Sequence, residues 1–165
     1  MDILIDITLR IISHLPKVCS WWLYKPERTT ENIYCTVSAR EGSVELYCDR
    51  QQSNFSIWVD VRNNNSFPIE IDRAKVSGHI HSARLTALNL FGLHLKKGES
   101  KSLILRGKID EPNRELVNKS PENEPMRVEL KAVIINKYHT IRDFSFSFER
   151  LMCKLINKKA PSEAG

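Results

Sequence analysis

The sequence lacks the short motifs that identify most enzymes and metal sites. Its 6 glycines include neither a phosphate-binding loop nor the sharp turn that presents a nucleophilic serine. Its 4 cysteines include no C-x-x-C pair, which excludes the common zinc and thioredoxin spacings. We therefore predict a protein that is not an enzyme and that needs no metal or other cofactor.

The sequence also lacks the segments that carry a chain into or through a membrane. Asp2 and Asp6 stand where a secretory signal peptide has Lys or Arg. Arg10, His14 and Lys17 keep the first apolar run short of the roughly 18 residues that a bilayer span requires. These absences favour a cytoplasmic protein, with a peripheral position at the inner face of a membrane still open to it.

Neither sign of charge dominates the composition. The chain has 25 Lys and Arg against 20 Asp and Glu, a net charge of +5, which is a small excess for a nucleic-acid-binding protein. One basic patch could form from Lys96, Lys97, Lys101, Arg106 and Lys108, but no aromatic residues alternate with them. Nucleic acid is therefore disfavoured as a partner, and another protein is favoured.

The length of 165 residues is typical of one domain with one hydrophobic core. We divide the chain into an arm at 1–25, a polar connector at 26–32, a β-sandwich domain at 33–156 and a flexible tail at 157–165.

The clearest strand lies at 55–62, where apolar residues alternate with mostly polar ones. Its predicted core face consists of Phe55, Ile57, Val59 and Val61. The asparagines at 63–65 then favour a turn, and Pro68 opens a second strand that reaches residue 80, with a bend near Arg73 that shifts its register.

Six further strands are predicted over 33–39, 44–49, 85–95, 100–109, 126–138 and 140–150. The strand at 85–95 is almost entirely apolar, which indicates a buried strand, and Gly92 suggests a kink in it. The segment 110–125 holds three prolines and reads as a long loop. Together these elements indicate a mainly β chain that folds as an antiparallel, immunoglobulin-like β-sandwich with an N-terminal amphipathic helix.

The amphipathic helix is predicted over residues 3–15. Leu4, Ile11 and Leu15 lie along one side at helical spacing, and Pro16 ends the helix. The many β-branched residues in this segment leave a strand as the alternative.

An aromatic cluster follows that helix directly. Trp21, Trp22 and Tyr24 lie between Lys17 and Lys25. Amphipathic aromatic residues flanked by lysines suit the interface of a membrane with anionic head groups. The alternatives are that the arm covers a partner protein or packs on its own sandwich.

Two cysteines face each other if residues 41–42 form a two-residue hairpin loop. That register places Cys35 directly opposite Cys48, in a pair whose side chains approach closely. In a reducing cytosol they would be small buried thiols, which we favour over a disulfide.

Isolated residues elsewhere give weaker signals. His79 and His81 lie two apart on a predicted strand and His94 could approach them, but no carboxylate or thiol completes a metal site. Trp58 is a large aromatic residue on the nominally polar face of its strand. Either the arm covers Trp58 or it marks an interaction surface.

Residues 55–150 resemble the immunoglobulin- or fibronectin-III-like sandwich of the late-embryogenesis-abundant (LEA) water-stress family. The resemblance lies in the alternating strand that ends at the asparagines, the Phe67-Pro68-Ile69 strand start, the turn at 97–100 and the two closing strands. It implies a non-enzymatic domain, often tethered near membranes, with no catalytic residues to transfer.

Two functions follow as hypotheses. The first is a non-catalytic binding module whose arm docks on a membrane surface or a partner protein. The second is an accessory or inhibitor protein that occludes a partner, with the 110–125 loop as its contact and the arm packed on its own core.

Overall fold

The structure is a computed structural model that describes residues 19, 21–49, 53–121 and 124–156. Within these ranges the chain is mainly β, which confirms the predicted class. The predicted helix at 3–15, and with it Leu4, Ile11, Leu15 and Lys17, lies outside the described residues, as does the tail at 157–165.

Nine strands and two helices have their bounds within the described residues. The helices are α1 (Pro26–Glu31) and α2 (Glu111–Lys119). The strands are β1 (Ile33–Val37), β2 (Val44–Cys48), β3 (Ser53–Asn63), β4 (Ile69–Ile80), β5 (Ala83–Leu95), β6 (Ser100–Lys108), β7 (Met126–Ile135), β8 (Thr140–Leu151) and β9 (Lys154–Ile156).

The strands form two sheets that pack face to face. In the first sheet β3 pairs with β6 along one edge and with both β1 and β2 along the other, and the short β9 runs parallel to β2. The second sheet has the antiparallel order β5-β4-β7-β8. The chain therefore crosses between the sheets after β3, β5, β6 and β8.

The core lies between the two sheets, and the alternation in β3 builds one side of it. Phe55, Ile57, Val59 and Val61 are all buried, as predicted. Alternate residues of β7 from Met126 to Ile134 form part of the opposite side. Since each fully buried large apolar side chain contributes about 1.5–3 kcal/mol, this two-sided core is the main source of stability.

The predicted hairpin between β1 and β2 is wrong. Cys35 opposes Val61 and Cys48 opposes Ser53, so both cysteines lie along the same edge of β3. The eight residues that separate their partners correspond to about 27 Å of strand. A disulfide needs Cα atoms within about 7 Å, so Cys35 and Cys48 are not a thiol pair.

The segment 38–43 explains this register. The Ser38 N–H donates to the Trp58 carbonyl oxygen (2.9 Å), and the Trp58 N–H donates to the Ser43 carbonyl oxygen (2.7 Å). The chain thus leaves the edge of β3 after β1 and returns to the same edge in β2. Residues 38–43, which include Gly42, therefore form an excursion from that edge and not a hairpin turn.

Both segments predicted to be irregular contain a helix. Instead of a connector, α1 begins at Pro26, whose fixed backbone angle suits the first turn of a helix, and its Thr29 is fully buried. Instead of a loop, α2 follows Asp110, whose carboxylate accepts a hydrogen bond from the Asn113 N–H (3.1 Å). Val117 of α2 packs in the core.

Strand β5 is not the buried strand that the sequence predicts, but it has the predicted kink. Leu88 and Leu90 are 61% and 75% exposed, because β5 alternates and lies at the edge of its sheet rather than in its centre. Gly92 has φ +53° at a bulge in the pairing of β4 with β5, which confirms the kink. The register shift near Arg73 is confirmed as well.

A network of buried polar side chains closes one end of the sandwich. The Asn63 amide donates to the carbonyl oxygens of Phe67, Leu95 and Lys96, at 2.9, 3.2 and 3.1 Å. Its own oxygen accepts from the backbone and side chain of Asn65 (both 3.0 Å). Asn63 therefore ties the β3–β4 turn to the β5–β6 turn.

The same network holds α1 in place. The Asn65 amide donates to the Thr29 carbonyl oxygen (3.0 Å). The Asn136 amide donates to the Thr29 hydroxyl and to the Tyr24 carbonyl oxygen (both 2.8 Å). Asn65 comes from the β3–β4 turn and Asn136 from the β7–β8 turn, so α1 is fixed from both sheets.

We predict that Asn136→Ala destabilises the protein by about 2 kcal/mol, since it leaves several buried groups without hydrogen-bond partners. The melting temperature should fall by about 5 °C. Asn64→Ala changes an exposed residue between Asn63 and Asn65, and its free energy of unfolding should stay within about 0.5 kcal/mol of the wild-type value. Urea unfolding of the three proteins measures this, and equal losses in both variants would contradict a special role for Asn136.

The four cysteines are free, and we predict that they differ sharply in reactivity. Burial raises the pKa of Cys35 and of Cys153 from 9.0 to about 12, and burial also raises the pKa of Cys48. At pH 8 a disulfide reagent should titrate exposed Cys19 quickly and the other three only after unfolding. Because the buried thiols favour their protonated form, their contribution to stability is full below about pH 9 and is lost as the pH rises toward 12. Rapid titration of all four thiols in the folded protein would refute this.

Candidate functional site

The aromatic residues of the arm lie at the end of the sandwich that the asparagine network closes. We call the surface formed by Trp21, Trp22, Tyr24 and Tyr138 the aromatic end. It lies beside the β7–β8 turn, which contains Tyr138. The Asn63 hydrogen bonds place the β5–β6 turn at the same end.

Tyr24 packs on its own domain. Its ring stacks on Phe67 at a centroid distance of 4.1 Å and meets Tyr138 edge-on at 5.0 Å. Its carbonyl oxygen accepts the hydrogen bond from Asn136 (2.8 Å). For Tyr24 the geometry therefore matches the alternative in which this part of the arm completes its own core.

Trp21 and Trp22 are, in contrast, half exposed, at 50% and 46%. The Lys25 ammonium lies 5.2 Å from the ring centroid of Trp21, and the Arg28 guanidinium carbon lies 3.1 Å from that of Trp22. These cation–π contacts hold each indole beside a positive charge at the surface. Two predicted docking residues, Trp21 and Trp22, are thus exposed, and each lies beside a cation.

The β7–β8 turn extends this surface. Tyr138 is 44% exposed, and the Lys137 ammonium lies 5.2 Å from its ring centroid. His139 lies beside Trp21, at a centroid distance of 6.4 Å. Its Nε2 atom is buried and has no hydrogen-bond partner among the described residues. The sequence did not predict this turn as part of the surface, because its residues are more than 100 positions away from the arm.

The β5–β6 turn adds two exposed lysines, Lys96 and Lys97, and we call it the lysine turn. Gly98 adopts φ +71°, and the Lys96 N–H donates to a Glu99 carboxylate oxygen (2.6 Å). This hydrogen bond and, to a smaller extent, Lys101 lower the pKa of Glu99. Lys96 and Lys97 form no ion pair with any residue that the structure describes, so the turn presents a net positive charge.

Trp58, the other predicted interaction residue, is covered by its own domain. The Arg40 guanidinium carbon lies 3.0 Å from its ring centroid, in the excursion at 38–43 that hydrogen-bonds to the Trp58 backbone. This side chain therefore needs no arm to cover it. Whether Trp58 also contacts a partner stays a prediction.

The carboxylate of Asp60 lies on the same face. Hydrogen bonds from the Ser102 and Ser38 hydroxyl groups, with a weaker effect of Arg40, lower its pKa. Arg40 thus contacts the Trp58 ring and also attracts the negative charge of Asp60.

The histidines and the basic residues of β6 do not gather. Strand β4 ends at Ile80, and His81 lies in the following turn with φ +48°, whereas His94 lies near the other end of the sheet, 3.7 Å from Glu70. No group of three metal-binding side chains occurs among the described residues. Lys108 pairs with Asn54 at the opposite end of β3 from the lysine turn, so the predicted single basic patch is wrong.

Among residues 19, 21–49, 53–121 and 124–156, no helix has both the length and the apolar character needed to cross a bilayer.

Comparison with known proteins identifies the fold but no family. No family model matches the chain, and no curated protein matches it. Among solved structures, a candidate LEA protein has 12% identity over 90% of this chain and 88% of its own, with a TM-score of 0.50. A protein from Arabidopsis thaliana has 16% identity over 74% of this chain and 87% of its own, also with a TM-score of 0.50.

A third structure, a structural genomics target, is 7% identical over 74% of this chain and 89% of its own, with a TM-score of 0.51. At these identities the likeness concerns the fold alone. The resemblance to the LEA family that the sequence predicts is confirmed at that level.

Proposed function

We propose that this protein is a non-catalytic, immunoglobulin-like β-sandwich module that docks on an anionic membrane surface through its aromatic end. The proposal depends on one observation: Trp21 and Trp22 are half exposed, and each lies beside a cation. They come shortly before α1, which is held by hydrogen bonds from turns of both sheets. The immunoglobulin-like type is supported by the sheet orders and by the four crossings between sheets.

The chemistry of the aromatic end fits the interfacial region of a bilayer. Trp and Tyr are enriched there because each ring has an apolar body and a polar edge. Trp21, Trp22 and Tyr138 provide three such rings. A flat partner protein surface would use the same rings, but it would not by itself account for the surrounding lysines.

Basic side chains around the aromatic rings make the second contribution to membrane binding. Lys25, Arg28 and Lys137 lie against the aromatic rings, and Lys96 and Lys97 lie in the adjacent turn. Each basic residue close to an anionic membrane contributes about 1 kcal/mol of attraction. We therefore place the protein at the cytoplasmic face of a membrane, held by aromatic insertion and charge together.

Rigidity supports docking at this end rather than elsewhere. Asn65 and Asn136 fix α1, and Tyr24 is stacked on Phe67. The neighbouring tryptophans therefore lose less conformational freedom on binding than they would on a free segment.

We predict that Trp21→Ser with Trp22→Ser weakens binding of the full chain to vesicles of phosphatidylserine and phosphatidylcholine by about tenfold or more. The matched control is Leu88→Ser with Leu90→Ser, which removes two exposed apolar side chains from strand β5. Vesicle flotation compares the three proteins. Equal binding by the tryptophan variant and the wild type would refute docking through the aromatic end.

Charge reversal at the lysine turn gives an independent prediction. Lys96→Glu with Lys97→Glu should weaken binding to the same vesicles by about an order of magnitude or more, since two attractive charges become repulsive. Arg106→Glu with Lys108→Glu has the same change in net charge but acts at the other end of β6. A loss of equal size in both variants would mean that overall charge, not this end, drives the attraction.

A further inference from the structure

A second concave surface lies on the outer face of the first sheet, at the opposite end from the aromatic end. It has a volume of about 700 Å³. Its floor consists of β2, β3 and β6 side chains, and its wall consists of β5 residues 86–88. We call it the β6 groove.

Strand register arranges the floor of the β6 groove in two rows. One row runs across the sheet from Arg106 through Ser56 to Glu45, and the other runs from Lys108 through Asn54 to Tyr47. Each row therefore begins with a cation on β6 and passes through a short side chain with hydrogen-bonding groups on β3.

The charges of the groove are unequal and only partly compensated. Arg106 and Lys108 form no ion pair with any residue in the described part of the chain, and Glu45 lies two strands away from Arg106. These three side chains give the lining a net charge of +1, from two cations and one anion. The β6 side of the groove is thus positive, whereas on the β2 side Glu45 neighbours Lys154 of β9.

The spacing of the two cations matches an extended peptide. Arg106 and Lys108 are two residues apart on one strand, so they project from the same face with a repeat of about 6.8 Å. Acidic residues at alternate positions of an extended chain have the same repeat. Such a chain could pair both cations while its backbone meets Asn54, Ser56 and Tyr47.

The groove is also firmly built. The Arg106 N–H donates to the Asn89 side-chain oxygen of β5 (3.1 Å), which links the floor to the wall. A Cβ atom at Gly107 would overlap the Phe55 ring and would lie 2.7 Å from the Ala87 Cβ, so glycine is what permits β5 and β6 to pack this closely. The cations thus project from a preformed surface.

We propose that the β6 groove binds an extended polypeptide segment of a partner protein that carries acidic residues at alternate positions. A peptide fits better than a nucleic acid, because the lining has only two cations and because Leu88 and Ala87 offer apolar contacts. This site is separate from membrane docking, and the two can be tested apart.

The probe is a fluorescein-labelled, end-blocked hexapeptide of alternating glutamate and threonine, titrated with the full chain at low salt. We expect saturable binding that weakens as salt rises. In ¹H–¹⁵N spectra the resonances of Asn54, Ser56 and Lys108 should shift, whereas those of the β7–β8 turn should not. A peptide with glutamine in place of glutamate should bind at least tenfold more weakly.

Arg106→Glu with Lys108→Glu should weaken peptide binding about tenfold, as two exposed charge pairs become repulsive. The matched control Lys96→Glu with Lys97→Glu should bind the peptide like the wild type. The groove variant should keep the melting temperature of the wild type, which shows that it is folded whether or not the membrane proposal holds.

Four results of the peptide and competitor titrations would overturn the proposal. The first two are that the glutamate peptide does not bind and that the glutamine peptide binds equally well. The other two are that a hexathymidylate binds more tightly and that inorganic phosphate, at the same concentration of negative charge as the peptide, displaces it. The last two would show a nucleic-acid or simple anion site. An equal loss in both charge-reversal variants would also overturn it, because overall charge would then explain the binding.

Discussion

The hydrogen bonds of three buried asparagines are the constraint on which the architecture of this protein depends. In a β-sandwich the two sheet faces cover the core. At the ends of the sandwich, however, the turns leave backbone carbonyl and amide groups without hydrogen-bond partners in the β-ladders. Asn63 and Asn136 supply partners from inside the fold, and Asn65 links the network to α1. A buried polar group without a partner costs about 1–3 kcal/mol, so the network must be complete to be stabilising.

This constraint determines where the exposed aromatic residues lie. The network fixes the carbonyl groups of Tyr24 and Thr29, and Trp21 and Trp22 are only a few residues away. The two tryptophans therefore project from a rigid end rather than from a free arm. The β6 groove lies at the far end of β3, so binding at one surface leaves the other accessible.

The sequence predicts the strands well because their signal is local. Alternation in 55–62 and 126–135 identifies which residues face the core, and Gly92 and the bend near Arg73 identify the irregularities. Pairing is different, because it depends on residues far apart in the chain. The turn at Gly42 looks like a hairpin by itself, and only the backbone hydrogen bonds to Trp58 show that β1 and β2 share one edge of β3.

The helices were missed for a related reason. Prolines and polar residues at 26–32 and 110–125 indicate irregular structure, yet a proline in the first turn favours a helix start. Asp110 followed by Pro112 contains that start signal, and one buried residue, Val117, anchors α2. The contribution of the β7–β8 turn to the aromatic end could not be predicted, since it arises when Asn136 contacts Thr29 across 107 positions.

The charge composition of the sequence also does not show where the two positive surfaces, the lysine turn and the β6 groove, lie. The net charge of +5 is modest, and five basic residues between 96 and 108 look like one patch in the sequence. Extended β6 separates them instead, because nine residues of strand span about 27–30 Å. That is about three Debye lengths at physiological salt, so the lysine turn and the β6 groove act as independent electrostatic sites. A small net charge can therefore accompany two distinct positive surfaces when a long strand lies between them.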